Sequence, residues 1–171
     1  LHTAYRRQRQ MCIRDSSSNV GMVKLAQMVG KQKYYSYIKL FGFGSKTGID
    51  LPGEERGIVR SPDKWKNIDF STISFGQGIA VTPIQMVVAY SAIANGGKVF
   101  KPHIVKEIRA GNKIKYSRKT EIIRNIPNKE VLNILKNMLL TAVDSGTGKK
   151  ASIAGLNVAG KTLSLIHISE P

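Results

Sequence analysis

The chain is poor in the residues that build most compact catalytic or metal sites. It has one cysteine, Cys12, in 171 residues. That excludes a disulfide framework and a cysteine-based zinc site. Histidine occurs three times, as His2, His103 and His167. Aromatics make up only 7 % of the residues, with a single tryptophan. Carboxylates are scarce: 11 Asp and Glu stand against 27 Lys and Arg, for a net charge of +16. No run of eighteen apolar residues exists that could cross a bilayer. What is present is a hydrophobic fraction of 42 %, enough to pack a core and to exclude wholesale disorder. The length suits one domain or a large part of one. A basic balance of this size points to acidic partners such as nucleic acid, anionic lipid or an anionic polymer, provided the charges cluster.

The two ends differ in character from the rest. Residues 1–15 show no apolar period, and Leu163 to Pro171 follow abruptly on another kind of sequence. Met11 to Asp15 and the start of Ser16 can be coded ATG TGT ATA AGA GAC AG. The reverse complement, CTG TCT CTT ATA CAC AT, reads Leu163-Ser164-Leu165-Ile166-His167 and begins Ile168. One inverted repeat coding both ends resembles the mosaic end of a transposase-based sequencing library. Residues 1–15 and 163–171 are therefore expected to be adapter-derived and are set aside from fold reasoning. They hold four Arg, Asp15, Glu170, His2, His167 and Cys12. Residues 16–162 then carry 27 − 4 = 23 basic and 11 − 2 = 9 acidic groups, or +14. His103 is the one histidine left, so a histidine-based triad, a cysteine nucleophile and a His/Cys metal site are all disfavoured.

Local signals divide the remainder. Ser17 to about Leu40 reads as helix, opened by cap-type Ser and Asn and broken at Gly30. Phe41 to Gly57 is a Gly/Pro-punctuated loop. A short helix or turn is expected around Trp65 over Asp63–Ile68, followed by a Gly-rich stretch from Ser71 to Gly78. Thr82-Pro83-Ile84-Gln85 marks a helix start, with a capping box and proline at the first helical position. That helix should stop at Gly96-Gly97. Phe100–Ile108 and Lys113–Tyr116 read as a hairpin about Ala110-Gly111-Asn112, with His103 in its first arm as a structural residue. Asn128 caps a helix with Val131, Leu132, Leu135, Met138, Leu139, Ala142 and Val143 on one face. Leu156 to Thr162 reads as a strand.

Three stretches in order resemble the class B penicillin-binding protein transpeptidase domain, of the FtsI-like division type. Ser17-Ser18-Asn19-Val20-Gly21 is similar to the S-x-N motif and its continuation. Thr47-Gly48-Ile49-Asp50-Leu51-Pro52-Gly53-Glu54, Ser74-Phe75-Gly76-Gln77-Gly78 and Thr82-Pro83-Ile84-Gln85 form a central block. Val158-Ala159-Gly160-Lys161-Thr162 is similar to the approach to K-T-G. The resemblance implies an α+β transpeptidase fold related to serine β-lactamases, with residues 16–162 a partial penicillin-binding domain. This part should be mostly helical, with a small hairpin and one truncated sheet strand.

It also implies the chemistry. A serine attacks the carbonyl between two terminal D-alanines of a peptidoglycan stem peptide, and the acyl-serine is passed to a neighbouring amine. Ser17 would relay a proton to the leaving amine, and Asn19 would hold a substrate backbone amide. Lys161 would set a positive charge beside Ser17 and the substrate carboxylate. Thr162 and Ser18 would bind substrate. No cofactor or metal is implied. The implied partners are stem peptides, β-lactams and divisome or cell-wall synthesis proteins, with no nucleic acid. The implied setting is the outer side of the cytoplasmic membrane, through an anchor outside these residues. Two departures accompany the likeness. The S-x-x-K segment with nucleophile and base would precede Ser17, and Leu163 stands where K-T-G has glycine, so the chain by itself is expected to be inactive. Lys46-Thr47-Gly48 is an intact K-T-G but lies in the Gly/Pro loop, where a solvated loop lysine is the expected reading. A β-lactamase, a penicillin sensor and a non-catalytic scaffold are the rival relatives. A nucleic-acid-binding module would need its Lys and Arg on one element, whereas here they spread from Lys24 to Lys161 with a mild concentration between Lys98 and Arg124.

Overall fold

A computed structural model describes residues 18–146 and 148–162. The chain divides into two compact units, Asn19–Leu132 and a second made of Leu1–Ser18 with Asn133–Pro171. The first unit opens with two helices, α1 (Asn19–Val29) and α2 (Lys31–Leu40). Gly30 separates them at φ +84°, a conformation that ends α1 and that only glycine adopts at little cost. Its N–H closes on the Ala26 carbonyl at 2.9 Å, while its own carbonyl accepts from Tyr34. The predicted break therefore falls at the predicted glycine.

Behind these helices lies an aromatic cluster of Ala26, Trp65, Phe70 and Ile73, flanked by Tyr34, Tyr35, Ile38 and Ile79. Tyr34 meets Phe70 edge-on at 5.7 Å, Tyr35 meets Trp65 likewise at 5.8 Å, and Trp65 stacks on Phe70. A 3₁₀ turn at Pro62–Lys64 delivers Trp65, whose indole N–H donates to the Arg60 carbonyl at 3.0 Å. Helix α3 (Asn67–Ile73) follows. It takes in Ser71 to Ile73, the first residues of the Gly-rich stretch.

A second cluster joins α4 (Pro83–Ala94) to a small sheet through Val88, Ala92, Val99, Ile126 and Leu132. The capping box is present: the Thr82 hydroxyl accepts from the Gln85 N–H at 3.4 Å, and the Gln85 side chain accepts from the Thr82 N–H at 3.0 Å. Strand β1 (Lys98–Phe100) pairs antiparallel with β4 (Ile122–Asn125). Strands β2 (Glu107–Ala110) and β3 (Lys113–Ser117) form a separate two-stranded hairpin.

The hairpin's first arm is shorter than expected, and this corrects the reading from Phe100. Phe100 belongs to β1 and faces Ile122, while His103 lies exposed in a segment without regular structure. The cause is local and distant at once. Pro102 has no N–H to give a ladder, and the Ile104 and Val105 N–H groups donate instead to the Asp50 carboxylate at 2.8 and 3.0 Å.

Helix α5 (Lys129–Asp144) is capped as expected, with the Asn128 side chain accepting from the Val131 N–H at 3.1 Å. Leu132, Ala142 and Val143 are its buried residues. Val131 and Met138 are exposed on its flank, so the buried face is narrower than its sequence suggests. Beyond it, a 3₁₀ turn at Lys149–Ala151 and a bridge between Ile153 and Leu156 lead to the end of the described chain. The strand expected over 156–162 is not formed. Residues 157–162 join no ladder, and the Gly160 N–H donates to the Leu139 carbonyl of α5 at 3.1 Å. A strand exists only with a partner, and the described residues supply none there.

Candidate active site

Ser17 lies outside the described residues. Ser18 is half-buried just before α1, and Asn19 is the first residue of that helix, with an exposed side chain. Gly21 and Ala26 are the buried positions of α1, and Ala26 sits in the aromatic cluster. The cluster thus holds the helix that starts at Asn19. This explains the tyrosines at 34 and 35: their rings pack against the core.

Lys161 is half-buried and Thr162 exposed, both in the second unit. Their side chains meet, with Lys161 Nζ donating to Thr162 Oγ1 at 3.2 Å and to the Thr162 carbonyl at 3.4 Å. An ammonium donating to a hydroxyl oxygen polarises that hydroxyl as a donor in turn. Such a pair suits recognition of a carboxylate.

The central block does different work. The Glu54 carboxylate accepts from the Thr47 N–H at 2.5 Å, the Thr47 hydroxyl at 2.6 Å and the Gly48 N–H at 3.0 Å. Burial opposes ionisation of Glu54, but these donors outweigh it and hold its pKa below the usual value. Asp50 is also held low, first by the N–H of Ile104 and then by that of Val105. Gln85 is 1 % exposed and its Nε2 donates to the carbonyls of Ser45 and Arg56 at 2.8 and 2.9 Å. Its side chain therefore caps its own helix and clamps the loop at the same time. Only the cap was visible in the sequence. Gly57 has φ +68°, and a Cβ there would come within 2.3 Å of the Ala80 carbonyl oxygen, beside the Ile58–Ala80 bridge.

This geometry disposes of the local look-alikes. In Lys46-Thr47-Gly48 the lysine is exposed and the threonine hydroxyl is committed to Glu54, in a loop rather than a strand. Gly76 and Gly78 follow the C-terminal end of α3, where the backbone partial charge is negative and repels a phosphate. The Gly76 and Gln77 N–H groups are already spent on Ile73 and Thr72. Two S-x-x-K tetrads occur, starting at Ser36 and Ser61. The Ser36 hydroxyl donates to the Lys33 carbonyl and the Ser61 hydroxyl to Asp63, so each serine is engaged locally.

The helical body with its small sheets is the α+β fold of a penicillin-binding transpeptidase. It superposes with a TM-score of 0.71 on penicillin-binding protein 3 of Mycobacterium tuberculosis in complex with aztreonam, at 31 % identity over 84 % of this chain and 34 % of that one. The profile of the penicillin binding protein transpeptidase domain matches residues 11–162, and the chain belongs to that family. Stage V sporulation protein D of Bacillus subtilis is 41 % identical over 149 residues, 86 % of this chain and 23 % of that protein. Peptidoglycan D,D-transpeptidase FtsI of Escherichia coli is 30 % identical over 149 residues, 85 % of this chain and again 23 % of the relative. The chain thus spans about a quarter of the length of these curated relatives.

Proposed function

We propose that this chain is part of a peptidoglycan D,D-transpeptidase that cross-links stem peptides through an acyl-serine and is acylated by β-lactams. The observation that carries the proposal is the ordered set Ser17-Ser18-Asn19 and Lys161-Thr162 within a single stretch matched to the transpeptidase family.

In this reading a serine outside the assigned residues attacks the D-Ala-D-Ala carbonyl. The serine proton passes through the lysine of the same S-x-x-K segment and Ser17 to the leaving D-alanine amine. An acceptor amine then displaces the serine, forming the new peptide bond and returning the proton. Asn19 orients the peptide backbone by its amide, with Ser18 beside it. Lys161 and Thr162 bind the terminal carboxylate, an anion that stem peptides and β-lactams share. The parent protein works on the outer side of the cytoplasmic membrane, held by an anchor, alongside divisome or other cell-wall synthesis proteins. The 171 residues alone form no penicilloyl adduct, because none of their serines takes the nucleophile's role.

The test uses the full-length parent and a fluorescent penicillin. The wild type is labelled covalently, whereas Lys161→Ala and Asn19→Ala lower the acylation rate at least a hundredfold while keeping the wild-type melting temperature. Full-rate labelling of both folded variants overturns the assignment.

A further inference from the structure

The β2–β3 hairpin is the most exposed regular element of the first unit. Every residue of β3 is exposed, as are Ile108, Arg109 and Ala110 of β2. Ile108 and Tyr116 are register partners and remain 54 % and 42 % exposed, and Ile114 remains 55 % exposed. The sheet has two strands only, so each strand has an outer edge with no strand beside it among the described residues. A two-stranded ribbon is marginal in water without a third strand or a covering element. Its unpaired edge groups are a template for strand addition.

The charge on this ribbon is one-sided. Residues 106–119 hold Lys106, Arg109, Lys113, Lys115, Arg118 and Lys119 against Glu107 alone, or 6 − 1 = +5. Glu107 is already paired with Arg109 at 2.7 Å. Lys113 and Lys115 flank Ile114 on β3, and no ion pair among the described residues uses them.

We propose that the β3 edge docks an acidic, aliphatic, extended segment of a partner protein, which adds to the ribbon as a third strand. Its backbone satisfies the open edge, its aliphatic side chains cover Ile108, Ile114 and Tyr116, and its carboxylates meet Lys113 and Lys115. A second copy of this chain is disfavoured because two +5 ribbons repel. A lipid surface is disfavoured because the tip, Ala110-Gly111-Asn112-Lys113, carries no large apolar group to enter it. The inference does not rest on the transpeptidase reading.

The experiment uses the full-length parent and a fluorescein-labelled peptide of alternating Glu and Val, with a Lys/Val peptide and phosphatidylglycerol vesicles as comparators. The Glu/Val peptide should bind saturably, bind more weakly as salt rises, and slow amide exchange over 113–117. A Lys113→Glu/Lys115→Glu variant should lose at least tenfold in affinity yet be acylated by fluorescent penicillin at the wild-type rate. Loss of acylation in the wild type would overturn the proposed function and leave this result standing. Equal binding of the variant, equal binding of the Lys/Val peptide, ribbon amides protected before any peptide is added, or a charge-dependent response to vesicles alone would each overturn the docking proposal.

Discussion

Replacing Gln85 tests whether one buried amide holds the central loop. In Gln85→Met the volume is kept, and the backbone N–H of residue 85 still reaches the Thr82 hydroxyl. Three partners are lost: the carbonyls of Ser45 and Arg56 and the N–H of Thr82. A net hydrogen bond contributes about 1 kcal/mol, and a stranded buried partner costs about 1–3 kcal/mol. Ser45 and Thr82 are half-buried and Arg56 is exposed, so water recovers part of the loss. The expected destabilisation is about 2–4 kcal/mol. Gln85→Glu sharpens the test. One carboxyl oxygen keeps the Thr82 bond, but the other then faces two carbonyl oxygens. Burial and those dipoles raise the carboxyl's folded pKa above its unfolded value of about 4.3. A raised folded pKa gives stability that is present at low pH and lost as pH rises through the folded value. The deficit of Gln85→Glu should therefore be larger at pH 8 than at pH 5, while that of Gln85→Met is equal at both. Urea unfolding at submicromolar protein reads both, through the fluorescence of Trp65, the sole tryptophan and 5 % exposed. A Gln85→Met variant within about 0.5 kcal/mol of wild type, or a Gln85→Glu deficit that ignores pH, would refute the clamp.

The same assay separates two neighbouring glycines. Gly97→Ala would bring a Cβ within 2.5 Å of the Ile126 carbonyl oxygen and 2.9 Å of Leu132, at φ +95°. The left-handed backbone and the overlap together should cost about 3 kcal/mol or more. Gly96→Ala meets nothing within 4 Å at φ +65°, so only the backbone cost of about 1–2 kcal/mol is expected; equal urea midpoints for the two would contradict this. The acid limb tests the loop carboxylates. Asp50 and Glu54 both have depressed pKa values, so their stabilisation is present above the unfolded values near 4 and is lost as pH falls through the folded ones. The Asp50→Asn/Glu54→Gln variant should lose less stability than wild type between about pH 5 and pH 2, and an unchanged acid limb would count against that role.

What the sequence reveals depends on how far apart the cooperating residues lie. Gly30, Thr82 with Gln85, Asn128 and the turn at Gly111-Asn112 each act within a few positions, and each was readable. The β1–β4 pairing was not, because it joins three-residue and four-residue segments more than twenty positions apart with a register irregularity. The end of the hairpin arm was hidden for the same reason: the acceptor of the Ile104 N–H is Asp50, 54 positions earlier. The 156–162 stretch has strand-like composition, but its Gly160 N–H is taken by a helix. Of the site, Lys161 and Thr162 stand side by side as neighbours must, and Asn19 opens its helix. The assignment of these residues still rests on their order along the chain.

The family likeness draws most of its length from residues that the geometry makes structural. Thr47, Asp50, Glu54 and Gln85 look like chemistry in a sequence, being polar and set among glycines. Their bonds run almost wholly to backbone N–H and C=O groups or to one another. A carboxylate whose acceptor sites are filled by such donors, and whose pKa is depressed, is a poor proton acceptor near neutral pH. The two carboxylates most suggestive of a general base are therefore the least suited to it. His103, the one histidine among the described residues, is exposed on an irregular segment. Asp50 and Glu54 hold the loop by accepting from backbone N–H groups and do not move protons.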